Sequence, residues 1–199
     1  MSRFDDISDP LSQRLADGLA RLGAVARQLD WQAAEAEGLS PTQADILGFV
    51  TRRPEGVRLA AAAAHAAVRS ATASDAVAAL ERKALIAKHP DVEDGRAVIL
   101  KATGQGKERA ARWPTGFAPV VDGLDASEQE LLLRLVTRMI RHLQRRNLIA
   151  PQRTCVTCRY FRENVAPGAA EPHFCAFVGA PMADRHLRVD CPEHEPAAA

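Results

Sequence analysis

Apolar positions in the first three quarters of the chain recur at helical spacing, in blocks separated by capping residues, Gly or Pro. Leu15, Leu19, Leu22, Ala26 and Leu29 mark one face of a long amphipathic helix from Leu11 to about Glu37. Ser40-Pro41 then supplies a cap and a first-turn proline. Ile46, Leu47, Phe49 and Val50 are the apolar face of the helix that follows, which Arg52-Arg53-Pro54 ends. Val57 to His65 reads as a short alanine-rich helix, with the run Ala60–Ala64 allowing close packing. The next helix starts among Ser70, Thr72 and Ser74, any of which can cap it, and puts Ala76, Val77, Leu80 and Ala84 on its inner face. Residues 85–88 form a short apolar-rich strand that His89-Pro90 should end. Asp94-Gly95 is a hairpin dipeptide, and Ala97 to Leu100 return as a buried strand. A helix over Lys101–Arg112 follows, broken near Trp113-Pro114 and Gly116. Asp125 and Ser127 then open a last strong helix with the stripe Leu131, Leu132, Leu135, Met139, Ile140 and Leu143.

Two short helices followed by strand, turn and strand place a helix beside a two-stranded wing, and the polar residues of that segment suit a nucleic acid. Arg69, Ser70, Thr72 and Ser74 at the helix start face an end where the dipole favours phosphate. Arg82, Lys83 and Lys88 follow, and Arg96, just past the wing turn, is placed to enter a minor groove.

The stretches SATASDAVAALERKALI, Asp91-Val-Glu-Asp-Gly-Arg-Ala97 and LKATGQGKERA resemble the recognition helix, wing and following helix of the MarR family of winged helix-turn-helix regulators. Family members usually carry Gly where this chain has Ala84, and a second Arg or Lys where it has Gly95. The resemblance covers roughly residues 10–149. It implies a mainly α fold, a winged helix-turn-helix with a helical dimerisation domain; the small irregular metal-stapled C-terminal extension expected after it is read from the cysteines alone. The expected division is an N-terminal dimerisation helix at 1–40, a DNA-binding lobe at 41–103, C-terminal dimerisation helices at 104–150 and a cysteine-rich tail at 151–199. It further implies a homodimer on a pseudo-palindromic double-stranded DNA operator and a small-molecule effector between the dimerisation and DNA-binding parts. Trp31, Trp113 and Phe117 are candidate walls of such a pocket, with core packing the favoured role for each.

Charge agrees with this division. Residues 1–51 hold four Arg against eight acids, whereas residues 52–112 hold twelve Lys and Arg against seven acids. The overall charge of +1 therefore hides a basic excess on the wing-bearing segment. With 47% hydrophobic residues but only 5% aromatics, the core is expected to be helices packed through small side chains. The chain shows no signal peptide and no run long enough to span a bilayer, which leads to the expectation of a soluble cytoplasmic protein without a membrane partner. No nucleophile, base and oxyanion set is discernible, and Gly104-Gln-Gly106 lacks the Lys and Ser/Thr of a phosphate loop, so an enzyme is not expected.

All four cysteines follow residue 154. Cys155-Val-Thr-Cys158 is a pair suited to clamp one metal from a tight turn, and Cys175 and Cys191 follow after sixteen and fifteen intervening residues. Four thiolates close a tetrahedral structural zinc site, and they also hold iron–sulfur clusters, with Cys191-Pro192 echoing ferredoxins. Zinc is the first expectation and a cluster the alternative. His173 or His194 can replace a cysteine or donate from behind one. The tail is expected to form a knob separate from the helices. Activity set by its metal or redox state stands beside a small ligand as a means of control. The alternative function is metal or redox handling, with the helices as scaffold only.

Overall fold

The computed structural model describes residues 4, 7–91, 94, 97–112 and 116–197. Contacts divide the chain into two compact units, Met1–Val121 and Asp122–Ala199, so the division falls within the segment expected to hold both C-terminal helices rather than after Ala150.

The first unit is mainly helical. Helix α1 (Leu11–Ala36) precedes α2 (Pro41–Thr51), then strand β1 (Val57–Arg58), α3 (Leu59–His65) and α4 (Ser70–Arg82). Strands β2 (Ile86–Pro90) and β3 (Val98–Ala102), α5 (Gly104–Ala110) and the short α6 (Ala118–Val121) complete it. Helix α2 begins as expected: Ser40 accepts from the Gln43 amide and the Gln43 side chain accepts from the Ser40 amide, a capping box that satisfies two end donors. Ile46, Leu47, Phe49 and Val50 are all buried, in one core with Val77, Leu80, Leu85, Ile86 and Leu100.

Several boundaries differ from the sequence expectation. Val57 and Arg58 are not helical; they pair antiparallel with Leu100 and Ile99, so the sheet has three strands in the order β1-β3-β2. Strand β2 runs through His89 and Pro90, which pair with Ile99 and Val98. It is an edge strand, where a proline can lack its N–H without breaking the ladder. The returning strand is Val98–Ala102, of which only Leu100 is buried, and the following helix starts at Gly104 rather than Lys101. Asp94 lies at the wing turn, while Gly95 and Arg96 are outside the described residues.

Helix α4 ends at a backbone feature the sequence disguises. Ala84 adopts φ 56°, and the amides of Ala84 and Leu85 donate to the carbonyls of Glu81 and Leu80. A left-handed residue at this place is normally glycine, because a Cβ there costs about 1–2 kcal/mol. Ala84→Gly is therefore expected to stabilise the first unit by up to about 1 kcal/mol, once the extra freedom of glycine in the unfolded chain is set against the relieved strain. A urea titration that finds the variant less stable would contradict this.

The second unit begins with α7 (Ala126–Arg145), whose cap Asp125 accepts from the amides of Ser127 and Glu128 while Glu128 accepts from the Asp125 amide. These bonds, the Glu128 amide first and the Ser127 hydroxyl second, hold the Asp125 carboxyl below its ordinary range. The tail is more regular than expected. A turn of 3-10 helix at Cys155–Thr157 leads into a three-stranded antiparallel sheet, β4 (Phe161–Arg162), β5 (His173–Cys175) and β6 (Ala180–Met182), followed by a second 3-10 turn at Asp184–His186. It is not a separate knob. Both 3-10 turns pack on α7, where Thr137 is buried, Arg134 pairs with Asp184 at 3.7 Å and Arg141 with Glu163 at 3.1 Å. The Arg185 amide donates to Glu130.

Candidate nucleic-acid interface and a thiol-lined cavity

Helix α4 has two faces. Ala73, Ala76, Val77 and Leu80 are buried against α2, α3 and the sheet, which leaves Ser70, Thr72 and Ser74 exposed. The cap position is Arg69, which makes no side-chain capping bond, so the three hydroxyl residues lie inside the helix and none is taken up as its cap. That differs from the expected capping and favours contact with an outside partner: the first-turn amides and hydroxyls point away from the core. Arg69 is exposed beside them.

The basic residues divide into two kinds. Arg82 is exposed, with no ion-pair partner among the described residues. Lys83, by contrast, donates to the Gly38 carbonyl at 2.6 Å and the Gln43 side chain at 3.0 Å, tying the end of α4 to the α1–α2 turn. Lys88 pairs with Glu81 at 2.8 Å, both partly exposed. The wing is braced at its base by Arg58, whose guanidinium bonds the buried Asp91 carboxylate at 2.6 Å and 2.7 Å. Sequence reading missed this brace because Arg58 was assigned to a helix and its partner lies 33 residues away.

A cavity of about 830 Å³ lies in the first unit, lined by Arg27, Asp30, Trp31, Thr42, Arg52 and Lys107 among others. Trp31 is 61% exposed and forms part of its wall rather than of the core. Phe117 is also exposed and does not line the cavity, and Trp113 lies outside the described residues. His65, at the end of α3, stacks on Phe49 at 4.1 Å and bonds Asp45 at 3.2 Å, a packed helix-end residue.

In the second unit all four cysteines line one cavity of about 490 Å³, together with Tyr160, Phe161, Phe177 and Met182. All are free thiols of intermediate burial. Cys155 accepts from the Arg188 amide at 3.2 Å, and the Arg188 guanidinium lies 3.8 Å from the Cys191 sulfur. Burial pushes the Cys155 thiol up, the Arg188 amide opposes this, and the Cys191, Cys158 and Cys175 sulfurs push it further up. Among the described residues, no three His, Cys, Asp or Glu side chains gather as they would around one ion.

The two histidines are held by the protein. His173 Nδ1 accepts from the Asn164 amide at 3.0 Å, which leaves Nε2 as the donor to Asp184 at 3.2 Å. His194 Nε2 lies 3.1 Å from the Thr157 hydroxyl, and burial lowers its pKa from the ordinary value. No helix of the described residues is long and apolar enough to cross a membrane.

Residues 37–97 match the family model described as MarR family. The fold is similar to that of MepR from S. aureus in its DNA-binding conformation, with a TM-score of 0.56 at 22% identity over 65% of this chain and 98% of that one. It is also similar to the S. aureus MepR–DNA complex, at 0.52 and 21% over 68% and 99% of the two chains. CouR from Rhodococcus jostii RHA1 bound to p-coumaroyl-CoA gives 0.52 and 22% over 69% and 94%. A search of curated proteins finds no match to this chain. These likenesses establish a winged-helix fold.

Proposed function

We propose that the chain is a homodimeric DNA-binding transcription regulator of MarR type, reading a pseudo-palindromic duplex with α4 in the major groove and the wing beside it. The observation that carries this reading is the split surface of α4, apolar where it meets the core and lined outward by Arg69, Ser70, Thr72 and Ser74. The match of residues 37–97 to the MarR family and the likeness to a MepR–DNA complex support it. Two exposed apolar stripes, Leu15, Leu19 and Leu22 on α1 and Leu131, Leu135 and Met139 on α7, support the homodimer, since a monomer in water seldom leaves such rows uncovered.

Control by a small anionic ligand is supported by the cavity, whose wall carries Arg27, Arg52 and Lys107 with Trp31 against the two carboxylates of Asp30 and Asp45, and by the p-coumaroyl-CoA bound to CouR. The state of the four-cysteine segment is a second means of control, because that segment packs on α7.

Fluorescence anisotropy on a duplex from upstream of the protein's own gene tests the reading. Thr72→Ala should weaken binding of that duplex by about 1–3 kcal/mol, the usual size of a good base or phosphate contact. Arg82→Ala should lower affinity for all duplexes alike and reduce the salt slope by about 1. The absence of salt-sensitive binding to any duplex would instead favour a metal-handling protein on a helical scaffold.

A further inference from the structure

We propose that Cys155, Cys158, Cys175 and Cys191 together hold an iron–sulfur cluster, with the cluster seated in the cavity they line. The site is independent of the DNA-binding face and belongs wholly to the second unit.

Three observations lead to a metal centre. The four thiols come from three separate segments, the Cys155–Cys158 turn and those of Cys175 and Cys191, yet all reach one cavity, and none is used in a disulfide. The unit's own core is thin: Met182, Ala183 and Leu187 are the only buried apolar side chains among its described residues, too few to hold so many loops by burial alone. Donors already point at the sulfurs, the Arg188 amide at Cys155 and its guanidinium near Cys191, as charge on bound thiolates requires.

The space between the thiols selects the kind of centre. A single zinc ion with sulfurs at about 2.3 Å draws its four ligands to about 3.8 Å of one another and leaves no room inside the tetrahedron. Here the four thiols share the wall of one cavity of about 490 Å³, and among the described residues no three such side chains gather as they would around one ion. Thiolates set around a volume match a polynuclear core of iron and sulfide, in which the four cysteines bind different corners or edges. Phe161 and Met182, with the exposed Phe177, give part of the cavity an apolar wall against which such a core can rest. His173 takes no part: both its ring nitrogens are engaged, by Asn164 and Asp184. On binding, each cysteine gives up its thiol proton to solvent and donates a sulfur pair to iron; ferrous and ferric iron and sulfide all come from outside at the oxidation level of the cluster, so neither the protein nor the iron is oxidised in the step.

Full-length protein, purified without oxygen and reconstituted with ferrous and ferric iron and sulfide, provides the test. The expected result is a brown protein with a broad visible absorption. It should carry more than one iron per chain and a comparable amount of acid-labile sulfide. Cys158→Ser and Cys191→Ser should each lose the colour and the sulfide, while His173→Ala retains both. A colourless protein with one zinc per chain and no sulfide would overturn the cluster, as would metal-free protein with all four thiols titratable. Because the wild-type metal and sulfide contents are themselves decisive, a variant that fails to fold does not rescue the proposal. None of these readouts involves DNA, so failure of the cluster and failure of the regulator reading are told apart.

Discussion

Replacing Leu80 by alanine is expected to destabilise the first unit by about 2–5 kcal/mol, the range for a leucine truncated in a close-packed core. Leu80 is fully buried on the inner face of α4, among Leu47, Val77, Leu85 and Leu100. Its carbonyl also accepts from the Leu85 amide in the turn that ends the helix. The truncated site has little means to collapse, because its neighbours come from α2, α4 and the wing sheet at once. A small domain has about 5–15 kcal/mol in all, so such a loss leaves a large unfolded fraction under mild warming. Urea unfolding followed by far-ultraviolet dichroism should show a lower midpoint with an unchanged slope, and DNA affinity should fall with the folded fraction. A loss below about 1 kcal/mol would mean that α4 is not seated through this residue.

The second large effect is expected at a glycine. Gly106 sits in the first turn of α5, where its amide donates to the Thr103 hydroxyl and a Cβ would lie 2.1 Å from the Leu85 carbonyl oxygen. Thr103 meanwhile donates to the Ala84 carbonyl and its amide to the Leu85 carbonyl, so the helix start is clamped onto the strand entry from two sides. The clash is with backbone, which cannot swing aside as a side chain tip would. Gly106→Ala should therefore cost about 3 kcal/mol or more. Gly104→Ala, two residues earlier and with open space at the Cβ position, is the control and should be near neutral. Equal melting temperatures for the two variants would refute the close approach.

Features fixed by near neighbours in the chain were legible beforehand. The Ser40 and Asp125 caps, the buried face of α2 and the inner face of α4 at Ala76, Val77 and Leu80 follow from spacings of three and four residues, whereas Ala84, expected on that same face, lies exposed beyond the helix end. Features fixed across the chain were not. Two residues are too few to show a strand period, and Val57–Arg58 became a strand only because Leu100 and Ile99 lie alongside. Pro90 looked like an end because the rule against proline in strands holds for central strands, and the edge position of β2 is a property of the sheet. Of the candidate DNA contacts, the hydroxyl residues of α4 were readable as outward-facing, whereas the engagement of Lys83 with Gly38 and Gln43 depends on a helix turn more than 40 residues upstream. The convergence of the four thiols was suggested by their number and clustering. The single cavity whose wall they share was not, since spacing along a chain does not measure spacing in a fold.

Helix α7 carries a contact that its apolar stripe does not reveal. Its leucine-rich stripe includes Leu131, Leu135 and Met139, all exposed in the single chain, whereas the side that meets the tail carries Arg134, Thr137 and Arg141. Hydrophobic periodicity cannot find a contact made by a threonine and two arginines. The consequence reaches beyond one molecule. An appendage tethered by a bare linker can be exchanged by recombination and leave its host intact, but this tail and its helix have become mutual templates. Sequence drift on either side of the joint is then constrained by the other, with Arg134 answering to Asp184 and Arg141 to Glu163. Relatives that lack the tail should be free to vary at positions 134 and 141, and those that keep it should change the two partners of each pair together.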